Sequence, residues 1–170
     1  MDMTTISVTV ECPVDAPATD VFEILADPTA MARWSPECVR ISWLDGWRHA
    51  EPGARFQGHN EMDDQEWDVI CQITEVRPPE RIAWVVLGPA VDPSTPSSTW
   101  THTLSERPGG TLVTTTFQHG NGGSHLVTAM AAKPERAAAI MESRRRRLQH
   151  NMSAALVAMA DELARQATGR

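Results

Sequence analysis

The sequence predicts an α+β fold in which a curved antiparallel β-sheet wraps around one long C-terminal helix, with two short helices after the first strand. Three observations predict it. Apolar and polar residues alternate near the N-terminus and again through most of residues 38–119, the period of strands with one buried face. Proline, glycine and paired aspartates cut the second region into short runs joined by tight turns. From Glu135 to about Ala164 there is no glycine or proline, and apolar residues recur every three, four or seven positions, which is one stripe of a buried helix.

Taken in order, Ile6, Val8, Val10 and Cys12 alternate with Ser7, Thr9 and Glu11, a strand with one dry face. DAPATDVFEILADP follows as a helix: Pro17 suits its first turn, Asp20 its positive N-terminal end, and Pro28 stops it. TAMARWSP makes a second short helical piece, with Met31 and Trp34 on one side and Pro36 as terminator. VRISWLDG, GARFQGHNEM, QEWDVICQITEV, ERIAWVVLG and the two arms of STWTHTLSERPGGTLVTTTFQH are strands.

The turns fix the register, because directly opposed residues on antiparallel strands share a face. A hairpin centred on Asp63-Asp64 pairs Asn60 with Trp67, Gly58 with Val69 and Phe56 with Cys71. Centring the next on Pro78-Pro79 pairs Ile73 with Trp84 and Cys71 with Val86. Centring the last on Pro108-Gly109 pairs Leu104 with Val113, His102 with Thr115 and Trp100 with Phe117. The three turns agree on one apolar face. The opposite face carries Arg55, Gln57, His59, Glu61, Glu66, Asp68, Gln72 and a row of threonines, a solvated surface. GNGGSHLVTAMAAKP reads as a Gly- and Ala-rich connection, with Leu126, Val127 and Met130 as candidates for a mobile lid.

Composition bounds the function. The chain has 170 residues, 41% of them hydrophobic, enough for one domain with a core and a cavity; a single domain over 1–170, with its core at about 5–165, is expected. A net charge of −7 argues against a nucleic-acid partner, because phosphate binding needs clustered cations. The run Arg144–Arg147 is the local exception, and in a helix its members point about 100° apart. It reads as a solvated face with one inward arginine, against an anion site as the alternative. No signal peptide or membrane-inserting segment is expected, which predicts a cytoplasmic protein. Cys12, Cys38 and Cys71 are odd in number and lack a CxxC spacing, so reduced thiols are expected.

The residues DAPATDVFEILADPTAMARWSP, PGARFQG, EVRPPERIAW and STWTHTLSERPGGTLV, in this order of elements, resemble the START-like (SRPBCC) superfamily and its polyketide cyclase/dehydrase branch. The likeness spans about residues 5 to 165. It implies a helix-grip fold with a deep cavity for hydrophobic ligands between the sheet and the C-terminal helix. Members of that superfamily range from lipid carriers to cyclases, so the fold alone does not assign chemistry.

If the cavity is present, the inward residues are its wall. Phe56, Trp67, Val69, Trp84, Trp100, Thr115, Phe117 and His119 from the sheet, with Met141 and Arg145 from the helix, are the expected ligand contacts. Arg144 is nearly as good a candidate as Arg145 on the helical wheel. The tryptophans also fit a second reading, ordinary core packing. His102, mid-strand between Trp100 and Leu104, is either a core histidine satisfied by Thr115 or a pocket histidine whose second nitrogen meets ligand or water.

Two functions follow. The first is binding of a small hydrophobic or aromatic metabolite, polyketide- or lipid-like. The second is a cofactor-independent cyclase or dehydratase in which His102 is general acid/base and Asn60 donates to an enolate oxygen. A partner-binding role is a weaker third and requires an exposed apolar patch. No cofactor is expected. His119 and His125 lack the carboxylate of an iron site, no zinc ligand set is present, and GNGGSH lacks the Lys-Ser/Thr of a phosphate loop.

Overall fold

A computed structural model describes residues 3–169. After a 3-10 turn at Met3–Thr5 come β1 (Ser7–Val14), α1 (Ala18–Leu25), α2 (Pro28–Met31) and β2 (Cys38–Trp43). Then follow β3 (Arg55–Met62), β4 (Gln65–Arg77), β5 (Arg81–Val86), β6 (Ser98–Arg107) and β7 (Gly110–His119). The chain ends in α3 (His125–Ala132), a 3-10 turn at Pro134–Arg136 and α4 (Ala137–Thr168). Among the described residues, seven strands form one antiparallel sheet ordered β1-β7-β6-β5-β4-β3-β2. Strands β2 to β7 are a meander, and α1 with α2 carries the chain from one edge strand, β1, to the other, β2.

The hairpin registers follow from the turns. Asp63 and Asp64 both take positive φ, at 49° and 62°, as a two-residue turn matched to strand twist requires. This turn aligns Asn60 with Trp67, Gly58 with Val69 and Phe56 with Cys71. At the β6–β7 turn Gly109 has φ 80°, which a glycine adopts without a Cβ clash, and His102 lies opposite Thr115. Between β4 and β5 the expected pairs Ile73–Trp84 and Cys71–Val86 form, but the register shifts by one residue between Ile73 and Glu75. A bulge at Thr74 absorbs the shift and reverses the faces beyond it. Val76, opposite fully buried Ile82, takes the inward place that simple alternation gives to Glu75. Glu75 instead accepts a hydrogen bond from Arg81 Nε at 2.7 Å.

The core lies between the inner sheet face and α4. Leu148, Met152, Leu156, Met159 and Leu163 of α4 are buried against Phe56, Ile73, Ile82, Trp84, Leu104 and Val113. Leu25 and Trp34 close the end of the sheet near α1 and α2. Trp34 Nε1 donates to Glu162 Oε2 at 2.6 Å, and Arg33 grips the same carboxylate with two nitrogens, so the short helices are tied to α4. Residues 125–132, expected as part of a connection, form the helix α3; the Ser124 hydroxyl caps it by accepting from Val127 N–H at 3.2 Å. Met130 of α3 is buried with Met3 and Ile6 in a second small cluster.

Candidate functional site

Two cavities adjoin at the sheet, an inner one under its concave face and an outer one that also takes in Glu66 and Asp68 from the other face of β4. The outer one, about 1240 Å³, is framed by the tip of the β3–β4 hairpin, the start of the β5–β6 loop, α3 and the first half of α4. The inner one, about 150 Å³, runs under the sheet between Phe56, Trp84, Trp100 and His102 on one side and Leu148, Met152 and Leu156 on the other. Glu37, Asn60, Val69, Val86, Trp100 and Leu148 line both, so these residues form the junction.

The inner wall is mainly apolar. Phe56 stands edge-on to Trp43 and Trp84, with ring centroids 6.1 and 5.9 Å away, and Trp100 is edge-on to Phe117 at 5.1 Å. Of the expected contacts, Phe56, Val69, Trp84, Trp100, Asn60, His102 and Thr115 line the inner cavity. Trp67, Phe117 and His119 line the outer one, where Trp67 meets the ring of His125 on α3 at 6.4 Å.

Two expected contacts lie elsewhere. Met141 packs with the cluster formed by Met3, Ile6 and Met130, because α4 presents that turn to α3. Arg145 points away from the cavity and forms a two-nitrogen ion pair with Glu142, three residues back on the exposed side of α4. The inward arginine is Arg144. Its Nη1 and Nη2 donate to the two carboxylate oxygens of Glu37 at 2.8 and 2.7 Å, and Asn151 Nδ2 donates to the same carboxylate at 3.2 Å. Arg147 also turns toward the sheet and pairs with Asp63.

His102 is 5% exposed and lies tilted against Trp84 at 4.9 Å. Its Nδ1 is 2.7 Å from Thr115 Oγ1, and its Nε2 is buried with no protein partner. The Nδ1–Thr115 bond forms in either tautomer, and in both the group left over on the ring is Nε2. Burial drives the imidazole pKa down to about 4, so the ring is neutral at pH 7. Such a ring offers the cavity side one nitrogen, Nε2, while Nδ1 is taken up by Thr115.

His119 is differently used. Its Nδ1 lies 2.6 Å from Gly120 O, an acceptor only, so Nδ1 carries the proton and Nε2 accepts from Ser124 Oγ at 3.0 Å. The same Ser124 oxygen caps α3, so His119 fixes the start of that helix while lining the outer cavity. The segment before α3 is held against the β5–β6 loop: Gly120 N donates to Ser97 O at 2.8 Å and Gly122 N to Pro96 O at 3.0 Å. The backbones approach so closely that a Cβ on Gly122 would sit 2.0 Å from Thr95 O. Asn60, 8% exposed, has one long contact, Nδ2 to Trp67 O at 3.5 Å, and retains hydrogen-bonding capacity at the junction.

The alternation of residues did not reveal Trp34, Glu37 or Asn151 as cavity wall, whereas Leu126 and Val127, expected at the cavity mouth, line the outer cavity and Met130 is buried beside it. Glu37 directly follows the helix-terminating Pro36, which was its only sequence signal. Among the described residues, no group of three or more His, Cys, Asp and Glu side chains is arranged to hold a metal ion, and no helix is long and apolar enough to cross a membrane.

A family model described as polyketide cyclase / dehydrase and lipid transport matches residues 5–158. Curated protein sequences contain no match. Among solved structures, a polyketide-cyclase-like protein from Corynebacterium glutamicum is similar over 94% of this chain and 91% of its own, with TM-score 0.65 and 20% identity. A protein from Mycobacterium smegmatis is similar over 97% and 95%, with TM-score 0.65 and 20% identity. The di-domain ARO/CYC protein StfQ of the steffimycin biosynthetic pathway is similar over 97% of this chain and 52% of its own, with TM-score 0.72 and 13% identity. At these identities the likeness is one of fold.

Proposed function

The chain belongs to the polyketide cyclase/dehydrase and lipid transport family, and from that premise we propose that it binds a small hydrophobic or aromatic metabolite, polyketide- or lipid-like, in the two-part cavity. The observation that carries this reading is the joined pair of cavities, about 1240 and 150 Å³, the inner walled by Phe56, Trp84 and Trp100 with few polar groups and the outer bordered by Trp67, Trp100 and Phe117 among charged and polar side chains. That is the composition of a small-molecule site, in which apolar area supplies affinity and sparse polar atoms fix orientation. A space of about 150 Å³ takes a single aromatic ring. The bound molecule therefore inserts one ring-sized end and leaves its larger part in the outer cavity.

Trp100 lines both compartments, so it touches whichever part of the ligand crosses the junction. Trp100→Ala is expected to weaken binding of a neutral naphthalene probe by about tenfold or more, about 1.4 kcal/mol, read by fluorescence titration. Unchanged affinity in the folded variant would contradict the reading.

A second reading, cyclase or dehydratase, is favoured by one observation: the unpartnered Nε2 of His102 beside the inner cavity. With Nε2 protonated, His102 would donate to a substrate carbonyl oxygen and polarise it toward attack, with Asn60 able to share the developing charge. In this reading Nδ1 accepts from the Thr115 hydroxyl and His102 serves as a hydrogen-bond donor. His102→Gln would then lower turnover of a polycarbonyl substrate at least tenfold with affinity kept within about tenfold. Equal turnover by the variant removes the histidine from the chemistry.

A further inference from the structure

Resting on the reading of the cavity as a ligand site, we propose that the site is built for an uncharged ligand and that the Glu37–Arg144 ion pair at the junction is the element that excludes acids. Two of the three arginines around the outer compartment are already matched. Four carboxylates (Glu37, Asp63, Glu66 and Asp68) and three arginines (Arg136, Arg144 and Arg147) line the outer compartment. Arg144 is held by both oxygens of Glu37, Arg147 is held by Asp63, and Arg136 is exposed at the start of α4. Among the described residues, Glu37 is the one carboxylate or guanidinium in the wall of the inner compartment.

The pair is also well enclosed. The Glu37 side chain is 13% exposed and that of Arg144 24%. Asn151, two helical turns beyond Arg144 on α4, donates to the same carboxylate and lines only the inner compartment, whereas Arg144 lines only the outer. Glu37 thus stands between the two spaces with its acceptors filled from both sides. A ligand carboxylate reaching this point loses its hydration, meets no free cation and faces the Glu37 charge. A ketone or ether of the same shape loses little hydration and meets no opposing charge. The arginine that would otherwise recognise an acid is kept occupied by the protein's own carboxylate.

A matched pair of probes tests this: 2-acetylnaphthalene, uncharged, and 2-naphthoate, an anion of nearly the same shape, titrated into the full-length protein and into Glu37→Gln at pH 7. The wild-type protein is expected to bind the ketone at least about tenfold more tightly than the carboxylate. Glu37→Gln is nearly isosteric and frees the Arg144 guanidinium, so naphthoate affinity should rise about tenfold relative to that for the ketone. Naphthoate should also raise the melting temperature of Glu37→Gln more than that of the wild type. Adding Arg144→Gln to that variant should remove the gain for naphthoate.

Equal binding of both probes by the wild type, or an unchanged ratio in Glu37→Gln, overturns the proposal. If Glu37→Gln does not fold, the wild-type ratio alone decides. Failure of the wild type to bind either probe overturns the underlying reading of the cavity, an outcome distinct from loss of the preference between them.

Discussion

Replacing Phe56 by alanine is expected to destabilise the protein by about 3–5 kcal/mol, and to do so far more than replacing Trp100. Phe56 is 2% exposed and sits between Trp43 and Trp84, so its ring has no route to relax when it is removed. Its site borders the inner cavity, and the deletion would enlarge an existing space without letting the sheet collapse onto α4. Trp100 is only partly buried and borders both compartments, with Phe117 as its one aromatic ring contact. Chemical denaturation of the two variants therefore separates packing from recognition. A stability loss for Trp100→Ala as large as that for Phe56→Ala would return Trp100 to the core.

The second large effect depends on pH. Stability is expected to fall by about 2 kcal/mol between pH 6.5 and 5, from His102 alone. In the unfolded chain this histidine has the ordinary value of 6.5, and in the folded chain burial lowers it to about 4. Over that interval the unfolded state binds a proton that the folded state does not. The stabilisation is present in full above 6.5 and is lost as the pH falls toward 4. His119 is lowered in the same direction by burial, so it adds to the slope without replacing it. Denaturation curves for the wild type and His102→Gln at pH 7 and 5 check this. The variant should lose about 2 kcal/mol less than the wild type, and equal losses would contradict the neutral, buried assignment.

Much of the sheet was legible because three turns each fix a register, and those registers agreed on Phe56, Trp84, Trp100 and His102 as one face. What failed was local. Alternation carries Glu75 inward because it counts residues, whereas the Pro78-Pro79 signal marks the turn but not the one-residue shift at Thr74. The choice between Arg144 and Arg145 turned on about 100° of helix rotation, and it was decided by where Glu37 waits across the cavity. α3 was hidden by its small residues, and its helical state depends on the Ser124 cap held by His119, a pairing visible only in three dimensions. Glu37 just before β2, Asn60 of β3 and Asn151 of α4 meet at the inner cavity but lie far apart in sequence.

The most direct test of the central claim, that the inner face of the sheet admits a ligand, is an NMR titration of the six tryptophan indole N–H signals with 2-acetylnaphthalene. Trp34, Trp84 and Trp100 line the inner cavity and Trp67 the outer one, while Trp47 lines neither. A filled cavity predicts saturable shifts of the Trp84 and Trp100 signals, accompanied by Trp34 and Trp67, with Trp47 unmoved. Unshifted Trp84 and Trp100 signals at millimolar probe would contradict it and leave the tryptophans as core.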